Sequence, residues 1–456
     1  MSSLVIGTII GLLLLVLLVI GVPVAFALGL TAMSSILIFL TMGEFNYFDN
    51  FVFASLNNFT LLAIPLFILM GAIFGQSQAS RDLLEAAHMW IGRLRGGLAM
   101  SSVVACSLFA ALTGSSPATS AAIGKIAIPE MKKRGYPNTV STGAIVAGGT
   151  LGILIPPSVT LILYGIATEQ SIGRLFLGGV VPGIMLTVLF CLWILIAISV
   201  HRMRGHSGQQ EESGAARGSG QALRAVAGAE AYGWKDRFVI LIKVIPFILL
   251  IVGILAALYT GIATPSEAAA VGALFALILV GVLYRSVTPK SLMEVALETT
   301  RTSTMILLIV AFSAVLGQVM SFLGVPQDLA QLVAGLEVNR WVVFLAMNVL
   351  FLILGFFIPP VAIILITIPV LYPIITQLGF DPIWFGVVMT LNMEMGLITP
   401  PVGLNLYVVQ GIAPDIPVRD ILMGSIPYVG VLALGIILLV FFPDLVLWLP
   451  NRMFGE

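Results

Sequence analysis

Charge is what this chain has least of. Of its 456 residues only 9% are Asp, Glu, Lys or Arg, against 59% hydrophobic, and the mean hydropathy is +1.12. A soluble domain carries about a quarter of its residues as charges, so a soluble fold is excluded and a membrane protein of many spans is indicated. Lys plus Arg and Asp plus Glu each number 21, so net charge points to no acidic partner. The two cysteines, Cys106 and Cys191, lie in apolar segments and read as small core residues rather than a disulfide or metal pair. His88, His201 and His206 fall in polar connections and make no metal site. HExxH, GxSxG and GxxxxGK[ST] are missing, and no aspartate lies well inside an apolar run. An intramembrane enzyme and direct ATP drive are therefore unsupported. No basic leader precedes the apolar N-terminus, which runs from Leu4 to Leu40 with a pause at "GVPVAF" (21–26). That length reads as two spans turning at Gly21 to Pro23 rather than a cleaved signal peptide.

Apolar segments of spanning length are expected at 4–21, 22–41, 56–76, 139–168, 174–200, 238–260, 266–284, 300–323, 381–413 and 421–449. Two further apolar regions, 97–131 and 341–376, carry loop-like residues at mid-depth, "TGSSPATS" (113–120) and "FFIPPV" (356–361). Each reads as a re-entrant helical hairpin, whose irregular tip is tolerated only when buried in protein or lining a wet cavity. With both hairpins re-entrant, the basic clusters around 81–95, 132–134, 202–237 and 285–301 fall on one side. The loop 41–55, with Glu44 and Asp49, falls opposite. The positive-inside bias then places the basic loops in the cytoplasm and both termini outside. The polar stretch 205–221 reads as a flexible link between two halves.

Double prolines break two of the spans. "GILIPPS" (152–158) is echoed by "GLITPPVG" (396–403), so Gly152, Pro156 and Pro157 pair with Gly396, Pro400 and Pro401 at an offset of 244. The same offset pairs Pro129 with Pro373 and Gly135 with Gly379. Between the broken spans the chain is expected to cross five times, an odd number, so the repeats are inverted. Inverted repeats with discontinuous helices meeting at mid-depth are the architecture of secondary carriers. Half-helix N-termini offer N–H groups to an anion, and half-helix C-termini offer carbonyls to a cation.

Residues near the breaks divide between function and packing. Ser115, Ser116 and Thr119 at the first tip read as holders of a cation and a carboxylate, though small hydroxyl residues also serve close helix packing. Opposite, "GGTLG" (148–152) offers carbonyls and the Thr150 hydroxyl. In the second half, Asn392 and Thr399 suit a second cation site, and Glu394 is the one acid deep in that span. It reads equally as a cation partner, a proton carrier or a neutral hydrogen-bonded group. "TPSE" (264–267) offers a carboxylate but reads better as a capping box opening a helix, and Lys125 could meet an anionic substrate or snorkel to the cytoplasmic surface, the reading preferred here being the second. A channel is the rival class, which flux measurement would discriminate.

"LNNFTLLAIPLFILMG" (56–71), "GSSPATSAAIGKIAIPEMKKRGY" (114–136), "GILIPPS", "GIATPSEAAAVG" (261–272) and "LITPPVGLNLYV" (397–408) resemble the large membrane subunit of tripartite ATP-independent periplasmic (TRAP) transporters. The resemblance runs from about residue 4 to 450, nearest the C4-dicarboxylate branch, with the sialic acid branch open. It implies an all-α polytopic elevator carrier of the ion-transporter superfamily in the bacterial inner membrane, driven by sodium. It also implies a periplasmic substrate-binding protein and a small four-span membrane subunit, here expected on a separate chain, and no cofactor beyond the coupling ions. Carried over, sodium site 1 is expected at Gly114, Ser115, Gly149, Thr150 and Gly152. Site 2 is expected at Phe357, Ile358, Pro359, Asn392, Met395 and Thr399, with Glu394 as a coupling acid. The substrate is expected among Ser115, Ser116, Thr119, Pro157, Ser158 and Asn405. The second tip lacks the polar side chain common in the family, so its ion would rest on backbone carbonyls, Asn392 and Thr399.

The implied division is scaffold at 1–95 and 238–340, transport parts at 96–200 and 341–413, a cytoplasmic linker at 201–237 and a C-terminal span at 414–456. Hairpins and broken helices would move as a block against the remaining spans.

Overall fold

The computed structural model describes residues 2–40, 47–207, 234–284, 288–335 and 338–455, and among them every regular element is a helix. Glu44, Arg217, Arg224, Arg285 and most of the expected linker lie outside the described residues.

The N-terminal pair is α1 (Ser3–Val19) and α2 (Val24–Phe39), turning at Gly21, whose φ of +91° suits glycine, with Pro23 capping the second helix. Next come α3 (Phe48–Leu56), a 3₁₀ turn (Phe59–Leu62) and α4 (Ala63–Gly75), bent by 59° between α3 and the rest. α5 (Ala79–Ile91) is amphipathic and leads into the first hairpin, α6 (Gly97–Thr113) and α7 (Ser116–Lys133). The first broken helix is α8 (Asn138–Thr150), a 3₁₀ turn (Leu151–Ile153) and α9 (Val159–Thr168), followed by α10 (Ile172–Ser207).

The second half opens with α11 (Trp234–Tyr259), α12 (Pro265–Leu279), α13 (Pro289–Phe322) and α14 (Val325–Gly335). Its hairpin is α15 (Arg340–Gly355) and α16 (Pro360–Gln377), and its broken helix α17 (Pro382–Leu397) and α18 (Leu404–Ile412). The chain ends in α19 (Val418–Phe441) and α20 (Asp444–Phe454). Among the described residues, six helices are long and apolar enough to cross a membrane, or seven counting the bent pair.

Three expectations need correction. The linker expected at 201–237 is helical at both ends, because α10 continues to Ser207 and α11 begins at Trp234. The single span expected at 421–449 is two helices, since Pro443 follows Phe442 and keeps it out of helical backbone, after which α20 restarts as an amphipathic segment. The span expected at 300–323 is the C-terminal part of a 34-residue helix, opened by a Thr288–Ser291 capping box and Pro289. "TPSE" forms its box as read: Glu267 Oε2 accepts from the Thr264 amide at 2.8 Å, and Thr264 Oγ1 from the Glu267 amide at 3.3 Å.

The two halves keep the sequence offset in their helices. α7 and α16 start at 116 and 360 and are both 18 residues long, while α8 and α17 start at 138 and 382. Packing follows the same correspondence: α6 lies on α8 as α15 lies on α17, and α7 meets α18 as α16 meets α9. Likewise α19 packs on α8 and α10 on α17. The α8–α19 crossing is a backbone contact, for a Cβ on Gly143 would sit 2.3 Å from the Gly424 carbonyl oxygen. Around this core, α12 packs on α4, and α13 on α2, α3, α4 and α16.

Candidate functional site

Each hairpin ends in a tight tip set by local sequence. At the first, Gly114 closes α6 at φ +58° and Ser115 caps α7, its Oγ accepting from the Ala118 amide at 3.5 Å. At the second, Pro359 occupies the cap position and Pro360 the first turn of α16, with no polar side chain. Ser158 caps α9, accepting from the Leu161 amide at 3.3 Å and donating to the Ile153 carbonyl at 2.5 Å. The Pro156–Pro157 and Pro400–Pro401 peptide bonds are both cis.

The tips and breaks meet around a cavity of about 480 Å³. Its walls include Ser115 to Pro117, Val159 and Thr160, Pro359 to Val361, and Leu404. These are the first residues of α7, α9, α16 and α18, so four helix N-termini open onto one space. Each N-terminus carries about half a positive charge and unpaired N–H groups. The remaining wall comes from α4 and α13, through Ile68, Ala72, Thr302 and Met305.

Glycine lets each broken helix press on its own tip. A Cβ on Gly152 would lie 2.5 Å from the Ser115 carbonyl oxygen, and one on Gly396 would lie 2.7 Å from that of Gly355. A Cβ on Gly114 would lie 2.7 Å from the Pro157 oxygen, and one on Gly149 would lie 3.1 Å from the Ser116 oxygen. Gly114, Ser115, Gly149 and Gly152 are thus brought together at backbone contact, and Thr150 Oγ1 donates to the Ala147 carbonyl at 2.6 Å. Among the described residues no cluster of three His, Cys, Asp or Glu side chains exists, so an ion here would find carbonyls and hydroxyls.

At the second tip the expected polar side chains, Asn392 and Thr399, are engaged in local hydrogen bonds. Asn392 Nδ2 donates to the backbone and side-chain oxygens of Asn348, at 3.1 and 2.9 Å. Thr399 Oγ1 donates to the Met395 carbonyl at 2.6 Å, and the Val402 amide donates to the Phe356 carbonyl at 3.3 Å. Ile358 and Met395 are buried, whereas Phe357 is exposed and Pro359 lines the cavity. Asn348 was missed, although it is the lone polar residue in "VVFLAMNVLFLILG" (342–355).

Glu394 joins the halves. Fully buried, it accepts from Ser116 Oγ at 3.1 Å, and Ser116 Oγ in turn accepts from Asn405 Nδ2 at 2.7 Å. Asn405 also approaches the Val146 carbonyl at 3.5 Å. Glu394 Oε1, Asn392 Oδ1 and Asn405 Oδ1 are buried without hydrogen-bond partners. Of the expected substrate residues, Ser115 and Ser116 line the cavity. Thr119, Pro157, Ser158 and Asn405 are buried behind it, with Thr119 donating to the Ser115 carbonyl at 2.8 Å.

An all-helical bundle with two broken helices and two hairpins converging on one internal cavity has the form of a polytopic membrane transporter. The Alcanivorax borkumensis YdaH transporter has the same fold, with a TM-score of 0.61 at 15% identity, over 91% of this chain and 89% of that one. Residues 11–445 match the family described as "Tripartite ATP-independent periplasmic transporter, DctM component", and the chain belongs to that family. It is a transporter permease component and not an enzyme. The C4-dicarboxylate TRAP transporter large permease DctM of Pseudomonas aeruginosa is 38% identical over 400 residues, 88% of each chain. The isethionate permease DctMQ of Oleidesulfovibrio alaskensis is 36% identical over 398 residues, covering 87% of this chain but 59% of that longer protein.

Proposed function

We propose that the chain carries a small organic anion across the inner membrane by sodium-coupled, elevator-type alternating access. The observation that carries this is the convergence of four helix N-termini on the cavity of about 480 Å³. Such ends favour an anion, while the carbonyl ends of α6, α8, α15 and α17 beside them favour cations. The substrate is a C4-dicarboxylate; sialic acid or a sulfonate such as isethionate keeps the mechanism and changes the acid. A periplasmic binding protein delivers it, and a small membrane subunit completes the scaffold. The basic loops are cytoplasmic and both termini periplasmic.

The moving block takes in α19 as well as the hairpins and broken helices, because the Gly143–Gly424 backbone contact leaves α8 no room to slide past it, and α10, which packs on α17 and α19, goes with them. Helices α1–α5 and α11–α14 form the static frame. Sodium bound between tip and break orders each tip, so neither ligand is held alone. Glu394 holds the first tip to the second broken helix through Ser116, and is the group through which the two ion sites sense each other. Replacing Ser115 and Ser116 together by Ala tests the site: sodium-dependent uptake in proteoliposomes should fall at least tenfold with the protein still folded. Uptake at the wild-type rate would sink the assignment.

A further inference from the structure

The cavity between the tips is lined by two charged side chains among the described residues, Lys125 and Glu298. Lys125 belongs to the hairpin helix α7 and Glu298 to the frame helix α13. Lys125 also lines a second space of about 1110 Å³, which runs past Arg81, Glu85, His88, Glu130 and Arg134. Gly75, Gln76, Ala122 and Lys125 border both spaces, so the lysine stands where one gives onto the other.

The basic residues at the end of α7 are compensated. Lys132 pairs with Asp415, Lys133 lies 3.9 Å from Glu130, and Arg134 binds Glu130 at 3.1 Å. Lys125 has no acidic group within ion-pair distance among the described residues. It shares a helix face with Ala118, Ala121 and Ala122, which line the tip cavity, and with Pro129, which lines the larger space. That face descends roughly 13 Å along the axis from Ser116 to Lys125. Lys125 is exposed to the space it lines, with Glu298 on another wall and no acid at ion-pair distance, so its ammonium is open to an anionic ligand.

Resting on the reading of this cavity as the substrate's path, we infer that Lys125 is a specificity-determining residue that takes the anionic end of the substrate as it leaves the tips toward the cytoplasm. A lysine merely snorkelling to the surface would sense no substrate. The charge it adds lies on the same path as the four helix N-termini, so selection for anions is built into α7 itself. Small side chains at 118, 121 and 122 leave that path open.

Two arms test the assignment. In proteoliposomes supplied with the small subunit and binding protein, succinate, isethionate and sialic acid are offered under an inward sodium gradient. For whichever acid the wild type takes up, Lys125→Ala should raise KM at least tenfold, about 1.4 kcal/mol. The sodium dependence and the melting temperature should stay unchanged, and Lys125→Arg should return KM to within about threefold. A wild-type KM for Lys125→Ala, or no rescue by Lys125→Arg in a folded protein, overturns the role. The second arm needs no knowledge of the acid. With Cys106 and Cys191 replaced by Ala, Lys125→Cys should react with a membrane-impermeant maleimide applied from the cytoplasmic side. No reaction overturns the cavity placement whatever the uptake shows. Failure of the wild type to carry any of the three acids refutes the reading underneath, and is distinguished from a loss confined to the variant.

Discussion

Gly152→Ala should damage the carrier through one added methyl group. The new Cβ would lie 2.5 Å from the Ser115 carbonyl oxygen, 2.6 Å from its carbon and 2.8 Å from the Ser116 nitrogen. All three are backbone atoms, so no side chain can rotate away. Ordinary contact begins at 3.4 Å, and the tip must retreat by about 1 Å. Overpacking of this kind costs about 1–3 kcal/mol. If the tip must sit against the break to hold sodium, the cost falls on the ion-bound state and lowers sodium affinity roughly five- to 150-fold. The assay is the sodium concentration giving half-maximal uptake in proteoliposomes, together with the melting temperature with and without sodium. Gly253→Ala in α11, where an added Cβ meets nothing within 4 Å, is the control and should match the wild type. A Gly152→Ala carrier with half-maximal sodium within twofold of wild type would refute the claim that this contact forms an ion site.

Three other outcomes follow from the same geometry. Asn348→Leu or Asn392→Leu alone should destabilise the protein by about 1 kcal/mol, because each removes the hydrogen bond between the two buried amides while Asn392 keeps the residue-348 carbonyl or Asn348 keeps the Phe344 carbonyl. The double Leu variant should cost less than the sum, read as a double-mutant cycle by thermal unfolding in detergent. At the protein surface, the hydrogen bond from Lys132 holds the Asp415 carboxyl below the usual carboxylate range. A depressed pKa contributes stability above the unfolded value of about 3.9, lost as pH falls through the lower folded value. Asp415→Asn should therefore show a smaller drop in melting temperature than wild type between pH 7 and pH 3, and an equal drop would deny the pair any role.

Much of the architecture was legible because its signals are local. Gly114 and Ser115 followed by Pro117, and the paired prolines at 156–157 and 400–401, mark tips and breaks in runs otherwise uniformly apolar. The offset of 244 persists in the helix starts because prolines and cap residues set those starts directly. The amphipathic helices α5 and α14 went unread, being short and too polar to register as spans. Long-range pairing was the other blind spot. Ser116 meets Glu394 across 278 positions and Asn392 meets Asn348 across 44. No period in the sequence encodes which buried polar groups will satisfy one another. Phe357, whose backbone carbonyl is expected at an ion site, carries an exposed ring.

The most direct test of the central claim is uptake of labelled succinate into proteoliposomes holding this chain and its small subunit. It is measured with and without an inward sodium gradient, and with and without the binding protein. The account predicts accumulation only when both are present. Flux that proceeds equally without either would contradict it, and would mark the cavity as a pore or a stand-alone carrier's site.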